Sequence, residues 1–461
     1  MIREVLGASA LEQAALLRAR ELSCEELVRG YLERIDALDP ELHAFVRVHR
    51  RRALSQARRK DAALRAGSDL PVFHGVPTAM KDLNLVRGSV ARFGSRGVWI
   101  PSPVDCHSTA SLRRGGFVIL GKSATSELGA MPVTEPDLHP PTRNPWDLGR
   151  TSGGSSGGAG AAVAGGLLPI AHGSDGAGSV RIPAALCGLY GFKASRGRVA
   201  NAYGLRDPDV LYSCGPLART VEDAAAMLDV LARSDEFLRA VRAPASRRRL
   251  RIGVLTHSQL APTHPEIAEG VRSVAKLLEA MGHTLAELRA PDGSVEEFLP
   301  VYQRQLAGTP VLLPWRLQPV PRWLRAAGKQ VSAEQARSIQ RDLTRRILAT
   351  LEPFDLCLTP TVPIETPRVG EFRDLPAPEA FARAALLGVY TATSNVTGAP
   401  SASLPMGRMA GRWPMGAHLI GRVGEDALVL QVSRRLEEAM PWRDAWAPGA
   451  RLELSGFASG G

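Results

Sequence analysis

The chain has 461 residues, enough for a sizeable core and, at about 150 residues each, for about three domains, although a single large α/β domain also reaches this length. Hydrophobic residues make up 44% and charged residues 22%, a balance that excludes a disordered or collagen-like chain. The net charge of +11 favours acidic partners non-specifically and says nothing about fold.

At the N-terminus, Arg3, Glu4, Glu12, Arg18 and Arg20 interrupt the apolar run that a signal peptide needs, so a cytoplasmic protein is expected. Cys24, Cys106, Cys187, Cys214 and Cys357 are odd in number, widely spaced and without a C-x-x-C pair, which fits a reducing compartment and offers no zinc or dithiol pattern. Residues 10–65 show helical spacing, with Leu16, Leu17, Leu22, Leu27, Val28, Leu32 and Ile35 on one side and Ser23 before Glu25 and Glu26 as a helix start. Arg47, Arg50, Arg51, Arg52, Arg58, Arg59, Lys60 and Arg65 crowd residues 47–65. With no aromatic residue interleaved to stack on bases, they read as a solvated helix face. The competing reading, a nucleic-acid-binding protein, requires affinity that falls steeply with salt.

Apolar runs at residues 76–80, 117–120, 159–168, 189–192, 224–231 and 252–255 alternate with helical spacing, which argues for an α/β sheet covered by helices. Residues 151–174 carry no Asp, Glu, Lys or Arg, but eight glycines, four serines and Pro169 exclude a membrane span and predict a loop plus a short helix. Arg247, Arg248, Arg249 and Arg251 fall where a linker, a surface crossover or a subdomain boundary is expected. Residues 290–380, with Trp315, Trp323 and many prolines, are the least strand-like part and predict a helical cap whose loops shape a pocket.

Two motifs satisfy a pattern and fail on chemistry. Gly116-Phe-Val-Ile-Leu-Gly-Lys-Ser123 spells a phosphate loop, but Phe117, Val118, Ile119 and Leu120 belong in a buried strand rather than an exposed phosphate cradle. Gly153-Gly-Ser-Ser-Gly157 spells a nucleophile elbow, yet the residues before it, 144–150, are polar and turn-like where a strand is required. His172 lies near Asp175 in sequence, which does not by itself make a Ser-His-Asp relay; a packed or surface histidine is expected.

What remains is Thr151-Ser-Gly-Gly-Ser-Ser-Gly-Gly158, then Gly173-Ser-Asp-Gly-Ala-Gly-Ser-Val-Arg-Ile-Pro183, with Lys81 upstream in Ala79-Met-Lys-Asp82. Glycines beside serines let backbone approach a substrate, and small residues before Ser179 leave successive N–H groups free to face one oxygen, as an oxyanion hole requires. A serine needs a base, and a lysine serves when burial keeps it neutral.

Gly-Gly-Ser-Ser-Gly-Gly followed after 24 residues (179 − 155) by a serine in Asp-Gly-Ala-Gly-Ser-Val-Arg-Ile-Pro resembles the amidase signature family. His74-Gly-Val-Pro-Thr-Ala-Met-Lys-Asp82, Gly121-Lys-Ser-Ala-Thr-Ser-Glu-Leu-Gly129, Asn144-Pro-Trp146, Gly191-Phe-Lys193, Gly215-Pro-Leu-Ala-Arg-Thr220, Thr359-Pro-Thr361 and His418-Leu-Ile-Gly421 extend the resemblance over nearly the whole chain. It implies an α/β fold with a large mixed central β-sheet between layers of helices, forming one domain over residues 1–461. Within it, residues 1–70 would supply N-terminal helices, 71–220 the catalytic core and 290–380 the cap.

The resemblance also implies roles. Ser179 would be the nucleophile, Ser155 the bridging serine after a cis Gly154–Ser155 peptide, and Lys81 the base. The N–H groups of Gly176, Ala177, Gly178 and Ser179 would form the oxyanion hole, with Asp175 and Arg181 bracing the loop as an ion pair. No metal or organic cofactor is implied, and a homodimer is common in the family. Ala177 stands where glycine is usual, and its methyl is tolerable at negative φ. Trp315, loops near Met131 and Tyr390, and Tyr390-Thr-Ala-Thr-Ser-Asn-Val-Thr-Gly-Ala-Pro400 are expected around the pocket.

The implied substrate is a small-molecule amide, with carbamates, esters and aryl acylamides open to the same chemistry, and no nucleic-acid or membrane partner. A glutaminyl-tRNA amidotransferase catalytic subunit is the rival within the family. Against it, the residues after Gly129, Ala-Met-Pro-Val-Thr-Glu-Pro-Asp, lack the Gly-Ser-Ser-Thr-Glu stretch associated with that subunit. Fatty-acid amide hydrolases share the core, but their membrane-binding segments find no counterpart.

Overall fold

The computed structural model describes residues 2–67, 69–200, 209–244 and 248–450. The first long helices begin on capping boxes, in which a serine side chain and a glutamate three residues on satisfy each other's free N–H groups. Ser9 pairs with Glu12 ahead of the helix Ala10–Arg18, and Ser23 with Glu26 ahead of Cys24–Leu42. Leu17, Leu27, Val28, Leu32 and Ile35 turn into the core as their spacing predicts, whereas Leu16 is only partly buried. The helix Arg50–Arg65 buries Ala53, Ala57 and Leu64 and leaves most of its arginines outside. Several of these are paired within the chain: Arg58 with Glu25 at 2.9 Å, and Arg50 with Asp36.

Two sheets carry the architecture. In the smaller, three-stranded one, β3 (Val118–Ser123) lies between β1 (Phe45–Val48), antiparallel to it, and β2 (Pro77–Lys81), parallel to it. The larger sheet has eight strands. They are β4 (Ile170–Asp175), β5 (Tyr190–Lys193), β6 (Ser213–Ala218), β7 (Arg251–Val254), β8 (Thr284–Glu287), β9 (Leu356–Pro360), β10 (Ser401–Met409) and β11 (Trp413–Gly421). Their spatial order is β8-β7-β9-β11-β10-β5-β6-β4. Strand β7 runs parallel to both β8 and β9, and the remaining pairs are antiparallel, so the sheet is mixed. Thr78 Oγ1 donates to the Ile170 carbonyl at 3.0 Å, which sets β2 beside the outer strand β4. That contact puts the lysine at the end of β2 over the serine-rich turns.

The Phe117–Leu120 run is buried in or just before β3, as its apolar side chains demand, and presents no phosphate cradle. The expectation for residues 151–174 needs correction: besides the helix Gly157–Ala164 they hold most of β4. That strand is covered on both sides, so glycine, alanine and serine suit it, and no alternation marks it. Residues 224–231 lie in the helix Val221–Ala232, capped by Thr220. Arg251 opens β7 and Arg248 pairs with Asp355 at 2.6 Å, while Arg247 lies outside the described residues.

Residues 290–380 are not cap alone, a correction to the expectation: they also hold β9 (Leu356–Pro360), a fully buried strand between β7 and β11 whose short run does not stand out among the prolines. The rest is a helical cap, with Val295–Ala307, Pro319–Gly328, Ala333–Leu351 and Ala377–Ala385. Its aromatic rings Phe298, Tyr302, Phe381 and Trp323 form a chain with centroid spacings of 5.8, 5.9 and 6.0 Å. Among the described residues no helix is long and apolar enough to cross a membrane.

Candidate active site

Lys81 is the last residue of β2 and is fully buried. Its Nζ donates to Ser155 Oγ at 2.7 Å and to the Ser174 carbonyl at 3.1 Å. Burial, which penalises the charged form, brings its pKa down to about 7, against the opposing pull of the Asp175 carboxylate. A lysine with this environment holds its proton less firmly than one in water.

Ser155 sits between the strand Asp147–Thr151 and the helix Gly157–Ala164, after a cis Gly154–Ser155 peptide. Thr134 holds this turn: its hydroxyl donates to the Gly153 carbonyl at 2.9 Å and accepts from Gly157 N–H at 3.1 Å. A Cβ on Gly154 would lie 2.6 Å from Val133 N and 2.8 Å from Met131 O, so only glycine lets these backbones meet. A strand does precede Gly153-Gly-Ser-Ser-Gly157, a correction to the turn expected over 144–150. It is half of a two-stranded hairpin with Arg143–Asn144 rather than a strand of the large sheet, so it builds no nucleophile elbow, and the serine faces a lysine. His172, the candidate for a relay, is buried with neither ring nitrogen bonded among the described residues. Burial, then nearby Lys81, pushes its pKa down to about 3.

Ser179 follows β4 and precedes the helix Arg181–Cys187; it is half-buried and lines a cavity of about 560 Å³. Ser156 N–H donates to its carbonyl at 3.2 Å, which ties the two serine turns together. Depth therefore falls in order from Lys81 through Ser155 to Ser179.

The loop between Asp175 and Arg181 closes on a buried ion pair. Arg181 Nη2 reaches Asp175 Oδ1 at 2.7 Å and Nε reaches Oδ2 at 2.9 Å. Burial would raise the Asp175 carboxyl, but Arg181 and its N–H donors hold it well below the usual carboxylate range. The guanidinium also donates to the Thr391 carbonyl, Ser394 Oγ, Asn395 Oδ1 and His418 Nε2. Neither Asp175 nor Arg181 lines the cavity, so the pair braces the loop.

The predicted oxyanion donors divide. Gly178 N–H donates to Asp175 Oδ1 at 2.7 Å and is therefore spent, a correction to the expectation from small residues alone. The N–H groups of Gly176, Ala177 and Ser179 make no hydrogen bond among the described residues. Ala177 does not have positive φ, so its methyl is accommodated. Gly178 has φ +126°, and a Cβ there would lie 2.2 Å from Thr391 Oγ1.

Met131, Ile182, Phe298, Tyr302, Phe381 and Tyr390 form apolar walls of the cavity, and His257, Glu287, Arg289 and Asp292 stand towards its rim. Its size suits a small organic molecule. The cap helices and the loops at Met131 and Tyr390 contribute as expected, but Trp315 does not: it sits on an exposed turn, 68% accessible. The rim loops lie at the carboxyl ends of the parallel strands β7 and β8, a position sequence reading passed over. Thr134, Thr391 and Asn395 were also missed as supports. Among the described residues no group of three or more His, Cys, Asp and Glu gathers to hold a metal.

A family model described as Amidase matches residues 26–309 and 315–430. A 6-aminohexanoate-cyclic-dimer hydrolase from Paenarthrobacter ureafaciens is 34% identical over 489 residues, covering 95% of this chain and 96% of that protein. The structure of a 6-aminohexanoate cyclic dimer hydrolase complexed with substrate superposes with a TM-score of 0.85 at 30% identity, covering 96% of this chain and 99% of that one. A bacterial aryl acylamidase of the amidase signature family gives a TM-score of 0.82 at 26% identity, over 94% and 96% of the two chains. Similarity that runs through sheet, cap and both serine turns leaves one conclusion: the chain belongs to the amidase signature family and is an amidase.

Proposed function

We propose that this amidase cleaves small alkyl or aryl amides through a Lys81–Ser155–Ser179 relay and an acyl-enzyme. One observation carries the reading: a buried lysine with its pKa near 7 lies 2.7 Å from a buried serine, while a second serine stands at the cavity wall. Neutral Lys81 accepts the Ser155 proton as Ser155 accepts that of Ser179, and Ser179 Oγ bonds to the substrate carbonyl carbon. The N–H groups of Gly176, Ala177 and Ser179 face the resulting oxyanion. Collapse breaks the C–N bond while Ser155 protonates the leaving nitrogen and regains its proton from Lys81. Water then attacks the acyl ester, gives up its proton along the same path, and the acid leaves with Ser179 restored.

The apolar walls and the substrates named for the two relatives favour an amide with an alkyl or aryl body; carbamates and esters present the same carbonyl. On this reading the substrate is the partner, neither nucleic acid nor membrane takes part, and the chain works as one unit, alone or as a homodimer. All five cysteines are unpaired and buried, which suits a reducing cytoplasm.

The test is product release from a primary aryl amide, an anilide, an aryl ester and an aryl carbamate, with wild type and Ser179→Ala. Turnover that vanishes in the variant supports the reading, and the rate ranking identifies the preferred leaving group. Turnover retained by Ser179→Ala contradicts it. No turnover on any substrate moves the assignment to a partner-dependent amidotransferase or to a narrow substrate outside this panel.

A further inference from the structure

The peptide unit joining Ala177 to Gly178 is held at both ends. Its carbonyl accepts from Thr391 Oγ1 at 2.8 Å, and its N–H donates to Asp175 Oδ1 at 2.7 Å. Two residues earlier, the Asp175 carbonyl accepts from Asn395 Nδ2 at 2.9 Å, and the same amide reaches Asp175 Oδ1 at 3.0 Å. Because a peptide unit is planar and trans, fixing its carbonyl oxygen fixes the opposite direction of its N–H. Asn395 thereby sets where Gly176 N–H points. Thr391 keeps the Ala177–Gly178 unit from rotating its occupied N–H towards the substrate and fixes the backbone on either side of it.

We infer that Thr391 and Asn395 form a clamp that orients the oxyanion hole; they are positioning residues, and the inference rests on the Ser179 reading above. The clamp is itself rigid. Thr391 is fully buried, its carbonyl accepts from Arg181 Nη1 at 2.9 Å, and its hydroxyl fills the space a Cβ on Gly178 would need. Asn395 is also fully buried and accepts from Arg181 Nη2 at 2.6 Å. The segment that carries the clamp also carries Val389, Tyr390, Thr393 and Val396 in the cavity wall. Substrate body and oxyanion hole thus bear on one short stretch of chain.

The experiment compares wild type, Thr391→Val, which keeps the shape and loses the donor, and Thr391→Ser, which keeps the donor. Removing a direct oxyanion donor costs about 100-fold to 1,000-fold in kcat, so loosening the donors through Thr391→Val is expected to cost about 10-fold to 100-fold, with KM within about twofold. Thr391→Ser should restore kcat to within about threefold of wild type. An aryl boronic acid, which forms a tetrahedral adduct with an active-site serine, should bind Thr391→Val more weakly by the same factor as the loss in kcat, with the carboxylate product's inhibition unchanged. Wild-type kcat in Thr391→Val overturns the clamp, as does a serine variant no better than the valine one, or unchanged boronate affinity. If Thr391→Val does not fold, Thr391→Ala, which also removes the donor, carries the same expectation. Ser179→Ala separates the two readings: if it is inactive while Thr391→Val is normal, only the clamp falls, and if it is active, the serine relay falls first.

Discussion

Strands β2 and β3 lie side by side, and each brings a lysine into the interior within a residue of its end. Lys122 on β3 is opposite Met80 in register and ion-pairs with Asp82 at 2.7 Å, both side chains almost wholly buried. Lys81 on β2 meets a hydroxyl and a carbonyl instead of a carboxylate. The difference lies in partners rather than burial. A buried cation beside a carboxylate serves to hold structure, whereas a buried amine whose contacts are neutral gives up its charge more cheaply, which is what the proposed relay asks of Lys81. The phosphate-loop pattern that contains Lys122 is a coincidence of a strand that happens to end in Gly-Lys-Ser.

Variants can break this comparison in order of expected effect. Lys81→Met should lower kcat by about 100-fold to 10,000-fold, the worth of a general base, with little change in thermal midpoint; steady-state kinetics beside a melting curve checks both. Lys122→Met should do the reverse, leaving Asp82 buried without its partner at about 3–5 kcal/mol in unfolding free energy while folded enzyme keeps most of its turnover. If Lys122→Met proves inactive yet stable, the division of labour between the strands is wrong.

The wild-type pH profile sharpens the same point. The proposed relay needs Lys81 deprotonated, so kcat/KM should fall about tenfold per pH unit below about 7 and level off above it, reporting the pKa of the free enzyme. A profile flat from pH 5 to pH 9 removes Lys81 as the base. The smallest effect is reserved for Ala177→Gly. Since Ala177 does not have positive φ, restoring the glycine usual in the family should change stability by about 1 kcal/mol or less and turnover little, measured by denaturant titration and kinetics.

The comparison also explains what sequence could disclose. Ser23 carries its glutamate three residues on, so that helix start is legible locally, whereas the roles expected of Lys81, Ser155 and Ser179 come from the family resemblance that their ordered motifs carry and not from the residues taken alone. Which N–H groups remain free is not legible, because Asp175 claims that of Gly178 and nothing in a run of small residues says so. Thr391 and Ala177 are 214 positions apart, a contact only the folded sheet creates. Strand β4 escaped notice since Ile-Ala-His-Gly-Ser-Asp has neither alternation nor β-branched enrichment beyond Ile170. Trp315 is expected at the pocket from its position in the chain and lies at the surface, since a tryptophan in a proline-rich stretch does not reveal which side of a turn it takes.

The most direct measurement mixes the enzyme with an aryl carbamate, whose acyl-enzyme hydrolyses slowly, and reads intact-protein and peptide mass after rapid quenching. The account predicts one added carbamoyl group on the peptide containing Ser179, absent from Ser179→Ala and formed far more slowly by Lys81→Met. Release of the leaving group with no adduct at any time, or an adduct on another residue, would contradict it.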